Sequence, residues 1–163
     1  MRSTEAVDLS ALVHEVVNDC AVEADVRRCQ LVVNARQVPT VTGSYELLRR
    51  AVENVVRNAI RYSPDGMPID ICVEPCTTPL SGDGEGVCIS VRDRGPGVPE
   101  ESLKRIFDPF FRVEEARNTN GGGSGLGLSI AKRAMQAHQG AVVAENAGPG
   151  LRVRLQLPIQ RSE

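Results

Sequence analysis

No apolar run in the chain approaches the ~20 residues that a membrane-crossing helix needs. No signal-peptide pattern opens it either, so a cytoplasmic module is expected. A surplus of one charge is also missing. Nineteen basic and 21 acidic side chains leave a net charge of −2, which offers no overall basic field to nucleic acid or an anionic membrane. The five cysteines (20, 29, 72, 76, 88) are odd in number and match no zinc-ligand spacing. Cys72 and Cys88 lie within apolar runs and read as small buried thiols of a reducing compartment. Aromatic residues are scarce: no tryptophan, two tyrosines and three phenylalanines. What remains is one domain of 163 residues, with 41% apolar and 25% charged side chains, a size suited to a single core.

The densest signal is Gly121–Ile130, which reads Gly-Gly-Gly-Ser-Gly-Leu-Gly-Leu-Ser-Ile. It lacks the Gly-Lys-Ser/Thr ending of a P-loop, and no strand-like run precedes it as a Rossmann turn requires. Gly/Ser tracts often serve as linkers. Here, however, Leu126, Leu128, Ile130, Ala131, Ala134 and Met135 follow at helical spacing, so the tract is expected to start a helix. Glycines let backbone N–H groups approach a ligand closely, and a helix start aims unpaired N–H groups at the same place. The combination suits an anion, with polyphosphate the obvious guest.

The rest of the chain supplies companions. Asp8 is a plausible N-cap for a helix with Leu9, Leu12, Val13, Val16 and Val17 on one face, fading near Asp25–Arg28. Leu31–Asn34 and Thr40–Thr42 are short strand candidates about a Pro39 turn. Ser44, with Glu46 in the first turn, opens a second helix to about Tyr62. Its apolar pairs, from Leu47/Leu48 to Ala59/Ile60, give one broad buried face, and Asn54, Asn58 and Arg61 align on its edge. Asparagine is a poor helix-interior residue. Two of them one turn apart beside a core are placed to line a groove. Ser63-Pro64-Asp65-Gly66 ends the helix. Ile69–Val73 and Val87–Val91 alternate like paired strands, and the Pro75–Gly86 loop between them carries no legible chemistry. Asp93-Arg94-Gly95-Pro96-Gly97-Val98 follows the second strand, and Pro99-Glu100-Glu101 starts a short helix through Arg105. All three phenylalanines fall at 107–111 and read as a packing plug. Val113–Asn120 is polar and, with Arg112 and Arg117 nearby, is expected to move over phosphates. Ala141–Glu145 and Leu151–Leu157 should pair around Asn146–Gly150. His138 reads as a cation at a helix C-terminus.

In this order the pieces resemble the ATP-binding catalytic domain of sensor histidine kinases. These belong to a superfamily with type II topoisomerases, the Hsp90 chaperone and mismatch-repair ATPases. Glu53–Ala59 matches the N box, Asp93–Gly97 the G1 box, Phe107–Phe111 the F box and Gly123–Leu128 the G2 box. The resemblance runs from about Asp8 to Pro158. The N and F boxes, with Glu114-Glu115-Ala116-Arg117, look closest to the Cpx-type envelope-stress sensor kinases. It implies a Bergerat-type two-layer α/β sandwich, a mixed sheet of about five strands under about three helices. ATP would sit between the N-box helix and the lid. Asp93 would accept the adenine amino group, and Asn58 would ligate Mg²⁺ by its amide oxygen. Asn54 would lie beside the phosphates, and Arg61, Arg112 and Arg117 would offset their charge. Tyr62 would pack near the nucleoside, and Ile106 and Phe107 would back the base. Gly95, Gly97 and Val98 belong to the same site, as do Ser124 and Leu128. Gly123, Gly125, Leu126 and Gly127 would offer backbone donors.

One departure is informative. Hydrolysing members of the superfamily carry a water-activating Glu four residues before the Mg²⁺ asparagine; here that position is Asn54, which cannot accept a proton. Glu53 is the neighbouring candidate base. Phosphoryl transfer is therefore expected over hydrolysis. The family's acceptor histidine lies on separate dimerisation helices, and His14-Glu15 does not continue into that motif. A catalytic domain of a larger bacterial inner-membrane receptor is expected, monomeric in isolation, acting on those helices and then a response regulator. Partner serine phosphorylation, as by anti-sigma-factor kinases, and a non-catalytic nucleotide-sensing module are the competing expectations.

Overall fold

The computed structural model describes residues 4–77, 84–111 and 126–159. The elements are β1 (Glu5–Val7), α1 (Leu9–Val26), β2 (Gln30–Ala35), β3 (Val41–Gly43), α2 (Tyr45–Tyr62), β4 (Pro68–Thr77), β5 (Glu85–Arg92), α3 (Gly127–Ala137), β6 (Ala141–Asn146) and β7 (Leu151–Pro158). The main sheet runs β2-β4-β5-β7-β6, with β2 and β4 parallel and the other neighbours antiparallel. The three described helices, with this mixed five-stranded sheet, make the expected two-layer sandwich.

The strand period of two divides the sheet cleanly. Ile71 and Val91 are opposite one another, as are Val73 and Ile89, Ile89 and Leu155, and Val91 and Val153. All are buried beneath the helices. The alternate positions, including Asp70, Ser90, Arg152 and Arg154, share the opposite face. Cys72 lies on that face and is only half-buried, unlike Cys88. It is therefore less enclosed than its apolar neighbours in sequence suggest.

Local chemistry sets the helix ends. Asp8 accepts from Ala11 N–H at 3.1 Å and starts α1. Ser44 accepts from Leu47 N–H at 3.3 Å and starts α2. Both satisfy N–H groups that a helix start leaves open. Along α2, Leu48, Ala51, Val52, Val55, Val56, Ala59 and Ile60 are buried. Ser63-Pro64 then stops it, because the residue before a proline is disfavoured in α geometry.

Four expectations are revised. The two strands flanking Pro39 join different sheets: β2 is the edge of the main sheet, whereas β3 pairs with β1. The helix expected from Pro99 is two 3₁₀ turns, Glu100–Ser102 and Arg105–Phe107, neither with a side-chain cap. The phenylalanines do not form a common plug. Phe107 is buried, Phe110 is exposed with φ 65°, and the Arg105 guanidinium lies 4.7 Å from the Phe111 ring centroid. Finally, His138 is not a capping cation. Its Nε2 accepts the Ser44 N–H at 3.0 Å while Nδ1 contacts the Ala134 carbonyl at 2.7 Å. Only a neutral ring with its proton on Nδ1 makes both bonds.

Candidate functional site

The site begins on one edge of α2. Asn54, Asn58, Arg61 and Tyr62 are half-buried, while Arg57 is more exposed. Neither Asn54 nor Asn58 spends its amide on a hydrogen bond among the described residues. That leaves two hard oxygen acceptors beside a core without the cap or turn partners that usually explain such asparagines. The start of α3 faces them: a β-carbon built on Gly127 would lie 3.7 Å from Asn54 Oδ1. Leu126 and Leu128 flank that glycine, and Leu128 is buried. Ile106 and Phe107, both buried, sit in the 3₁₀ turn against α3.

The G1 turn closes the C-terminal end of α2. Asp93 is 3% exposed. Its Oδ1 accepts from Gly95 N–H at 2.8 Å and from Leu151 N–H at 3.3 Å. Its Oδ2 has no hydrogen-bond partner among the described residues. Burial pushes the carboxyl above its ordinary value; the Gly95 and Leu151 N–H groups and the Arg92 guanidinium pull it part of the way back. Gly95 packs on the Tyr62 carbonyl so closely that any side chain would overlap it. Gly97 has φ 75°, a conformation suited to glycine. Val98 is half-buried at the far end of the turn.

Glu53 does not belong to this constellation. Its two carboxylate oxygens are held by Arg49 (2.7 Å) and Arg57 (2.5 Å). The same arginines reach Asp19 and Glu23 on α1. The expected base is therefore part of an ionic seam between α1 and α2, with each oxygen paired to an arginine. Arg112, Arg117, Gly123, Ser124 and Gly125 lie outside the described residues. One residue that sequence reasoning missed is Asn146, whose side chain bonds both backbone groups of Val98. Its only sequence signal was a place at the start of the expected Asn146–Gly150 turn.

A two-layer sandwich with an amide-bearing helix edge, a buried Asp-Gly turn and a glycine-led helix defines a nucleotide-binding ATPase domain. The chain belongs to the histidine kinase-, DNA gyrase B- and HSP90-like ATPase family, whose pattern matches residues 43–161. It is 38% identical over 160 residues to the sensor histidine kinase CpxA of Escherichia coli, covering 97% of this chain and 33% of that protein. It is 33% identical over 153 residues to the sensor protein VanS of Enterococcus faecium, covering 93% and 38%. The chain thus spans about a third of the length of these curated relatives. Among solved structures, full-length ShkA in complex with AMPPNP superposes with a TM-score of 0.81 at 26% identity, covering 99% of this chain and 32% of that one. The mycobacterial sensor histidine kinase MprB gives 0.76 at 27% identity, covering 98% and 100%.

Proposed function

We propose that this chain binds Mg-ATP between α2 and the G1 turn and donates the γ-phosphoryl group to a histidine on a separate dimerisation domain, in two-component signalling. The observation that carries this reading is Asp93. A buried carboxylate with one oxygen anchored by two backbone N–H groups and the other uncommitted is a preorganised acceptor for an amino group. Adenine offers such a donor on its pairing edge; guanine presents a carbonyl there.

The donor set also fits magnesium. Asn58 provides a half-exposed, uncommitted amide oxygen, the hard ligand that this ion accepts while phosphates and water supply the rest. When bound there, the ion would neutralise phosphate charge. The chain's own residues do the remaining work. Asn54 donates its amide N–H to phosphate oxygens, and the half-buried Arg61 adds positive charge on the same edge. The Leu126–Leu128 segment aims the unpaired N–H groups of the α3 start at the same region. Tyr62, Ile106, Phe107, Gly95, Gly97 and Val98 exclude water around the base. Asn54 has no basic group, and Glu53 is held in ion pairs with Arg49 and Arg57 away from this edge, which favours transfer over hydrolysis.

The acceptor is the histidine of the kinase's dimerisation helices, with a response regulator next in line. The domain works on the cytoplasmic side of a bacterial inner membrane and is monomeric when isolated. No described helix is long and apolar enough to cross a membrane. The test is transfer of label from γ-labelled ATP to a separately made dimerisation-helix fragment. Label should appear on the fragment's histidine only when this chain and Mg²⁺ are both present. It should fall by about 10–100-fold in Asn58→Ala, the range typical when a metal's supporting groups are removed. Tight ATP binding with no label on the fragment would overturn the transferase reading.

A further inference from the structure

We propose that Asn146, the last residue of β6, is a positioning residue for nucleoside recognition. This inference rests on the reading of Asp93 as the adenine acceptor. Asn146 Oδ1 accepts from Val98 N–H at 2.9 Å, and its Nδ2 donates to the Val98 carbonyl at 2.6 Å. One side chain therefore satisfies both backbone groups of one residue, as a neighbouring strand would. A β-carbon on Gly97 would lie 2.6 Å from the same Oδ1, so the amide occupies the space that glycine leaves.

The contact matters because of what lies between Asp93 and Val98. Asp93 is already fixed: its N–H donates to the Leu151 carbonyl at 3.1 Å, and Leu151 N–H returns a bond to Oδ1. The intervening residues include Gly95 and Gly97, the residue type that loses most freedom on ordering. The Arg94 side chain adds bonds to the Pro68 carbonyl and to Asp70, both at 2.7 Å, but these hold the same end of the turn as Asp93. Pinned there alone, the stretch from Gly95 to Val98 would have to be ordered by the ligand at the expense of affinity. Asn146 pins the other end. The β6–β7 connection that follows it is itself tied to the base of the turn, because Arg92 Nη2 donates to the Pro149 carbonyl at 3.0 Å. One hairpin thus grips both ends of the adenine-facing segment, and none of these bonds involves the residues facing the phosphates.

The prediction is therefore selective. Calorimetry on the full chain with ATP, adenosine and tripolyphosphate separates the two halves of the ligand. Asn146→Ala should weaken ATP and adenosine by the same factor, about tenfold, the scale of one or two modest hydrogen bonds. Tripolyphosphate binding should be unchanged. Asn146→Asp keeps the acceptor for Val98 N–H and should recover part of the loss. Hydrogen exchange at the Val98 amide should accelerate in Asn146→Ala. Equal losses for adenosine and tripolyphosphate, or unchanged adenosine binding, would overturn the proposal. Asp93→Asn serves as the control for the underlying reading. Adenosine binding that ignores Asp93→Asn but falls in Asn146→Ala would overturn the Asp93 assignment and support Asn146. The converse pattern would overturn Asn146 alone, and a parent chain that binds no adenosine would overturn both.

Discussion

The Ser44 backbone N–H donates to Nε2 of His138 at 3.0 Å, joining residues 94 positions apart. Gly43 makes room for the ring; a side chain there would overlap it. The end of α3 therefore holds the beginning of α2, the helix that carries the asparagines. His138→Ala leaves a partly buried N–H without its partner, and an unsatisfied donor costs about 1–3 kcal/mol. An unfolding free energy lowered by that amount, read as a lower urea midpoint at unchanged slope, is the expected result. An unchanged midpoint would show that water replaces the ring at no cost.

How much of this could be read beforehand depended on distance along the chain. The caps Asp8 and Ser44, the α2 stripe and the glycine-led α3 were legible, because each is decided within one or two helical turns. The separation of β2 from β3 was not, since strand pairing is chosen by partners far away. Glu53 was different: the arginines that hold it, Arg49 and Arg57, lie one turn away on the same helix, and only their second partners, Asp19 and Glu23 of α1, are distant in sequence. His138 looked cationic because its second partner is a backbone group on another helix.

Asp93→Asn should separate stability from recognition. The carboxyl's raised value means that the folded state favours its protonated form. That contribution is present below the unfolded value, near 3.8, and is lost as pH rises through the folded one. The amide removes the titration, so the variant's stability relative to the parent should be higher at neutral pH than in acid. Adenosine affinity should nevertheless drop about 10–100-fold, the worth of a charge-assisted bond. In the parent, adenosine affinity should fall as pH drops, beginning at a higher pH than an ordinary aspartate would give. Chemical denaturation and calorimetry across pH check both halves.

Two glycines in left-handed geometry should respond very differently to a methyl group. Gly66 has φ 80° and nothing within 4 Å of a new β-carbon, so Gly66→Ala should cost about 1–2 kcal/mol of backbone strain. Gly150 has φ 98°, and its β-carbon would overlap the Asp93 carbonyl. Gly150→Ala should therefore cost about 3 kcal/mol or more and weaken adenosine binding as well. Comparable midpoints for the two variants in denaturant would refute the close approach of Gly150 to Asp93.

Cys88 should be inert in the native state. Burial, followed by the neighbouring Cys76, pushes its thiol up to about 12. At pH 8 only about one molecule in 10⁴ would then carry the reactive thiolate. Alkylation followed by peptide mapping should find Cys88 unmodified in native protein and modified after denaturation. Rapid native labelling would mean that the β4–β5 pair opens locally.

The grip of the β6–β7 hairpin on Asp93 also sets an order of events in time. A protein is synthesised from its N-terminus, yet Asp93 gains its Leu151 anchor from a residue 58 positions later. The α2 edge can form long before, since its cap and buried stripe are local to the helix. The adenine-facing turn cannot be complete until β7 has emerged and paired with β5. Ligand competence is thus acquired late, by closing a contact between residues 58 positions apart, and pairings this distant in sequence slow folding. A nascent chain halted before β7 would carry the asparagines without a finished acceptor, so nucleotide could not act as an early template for folding.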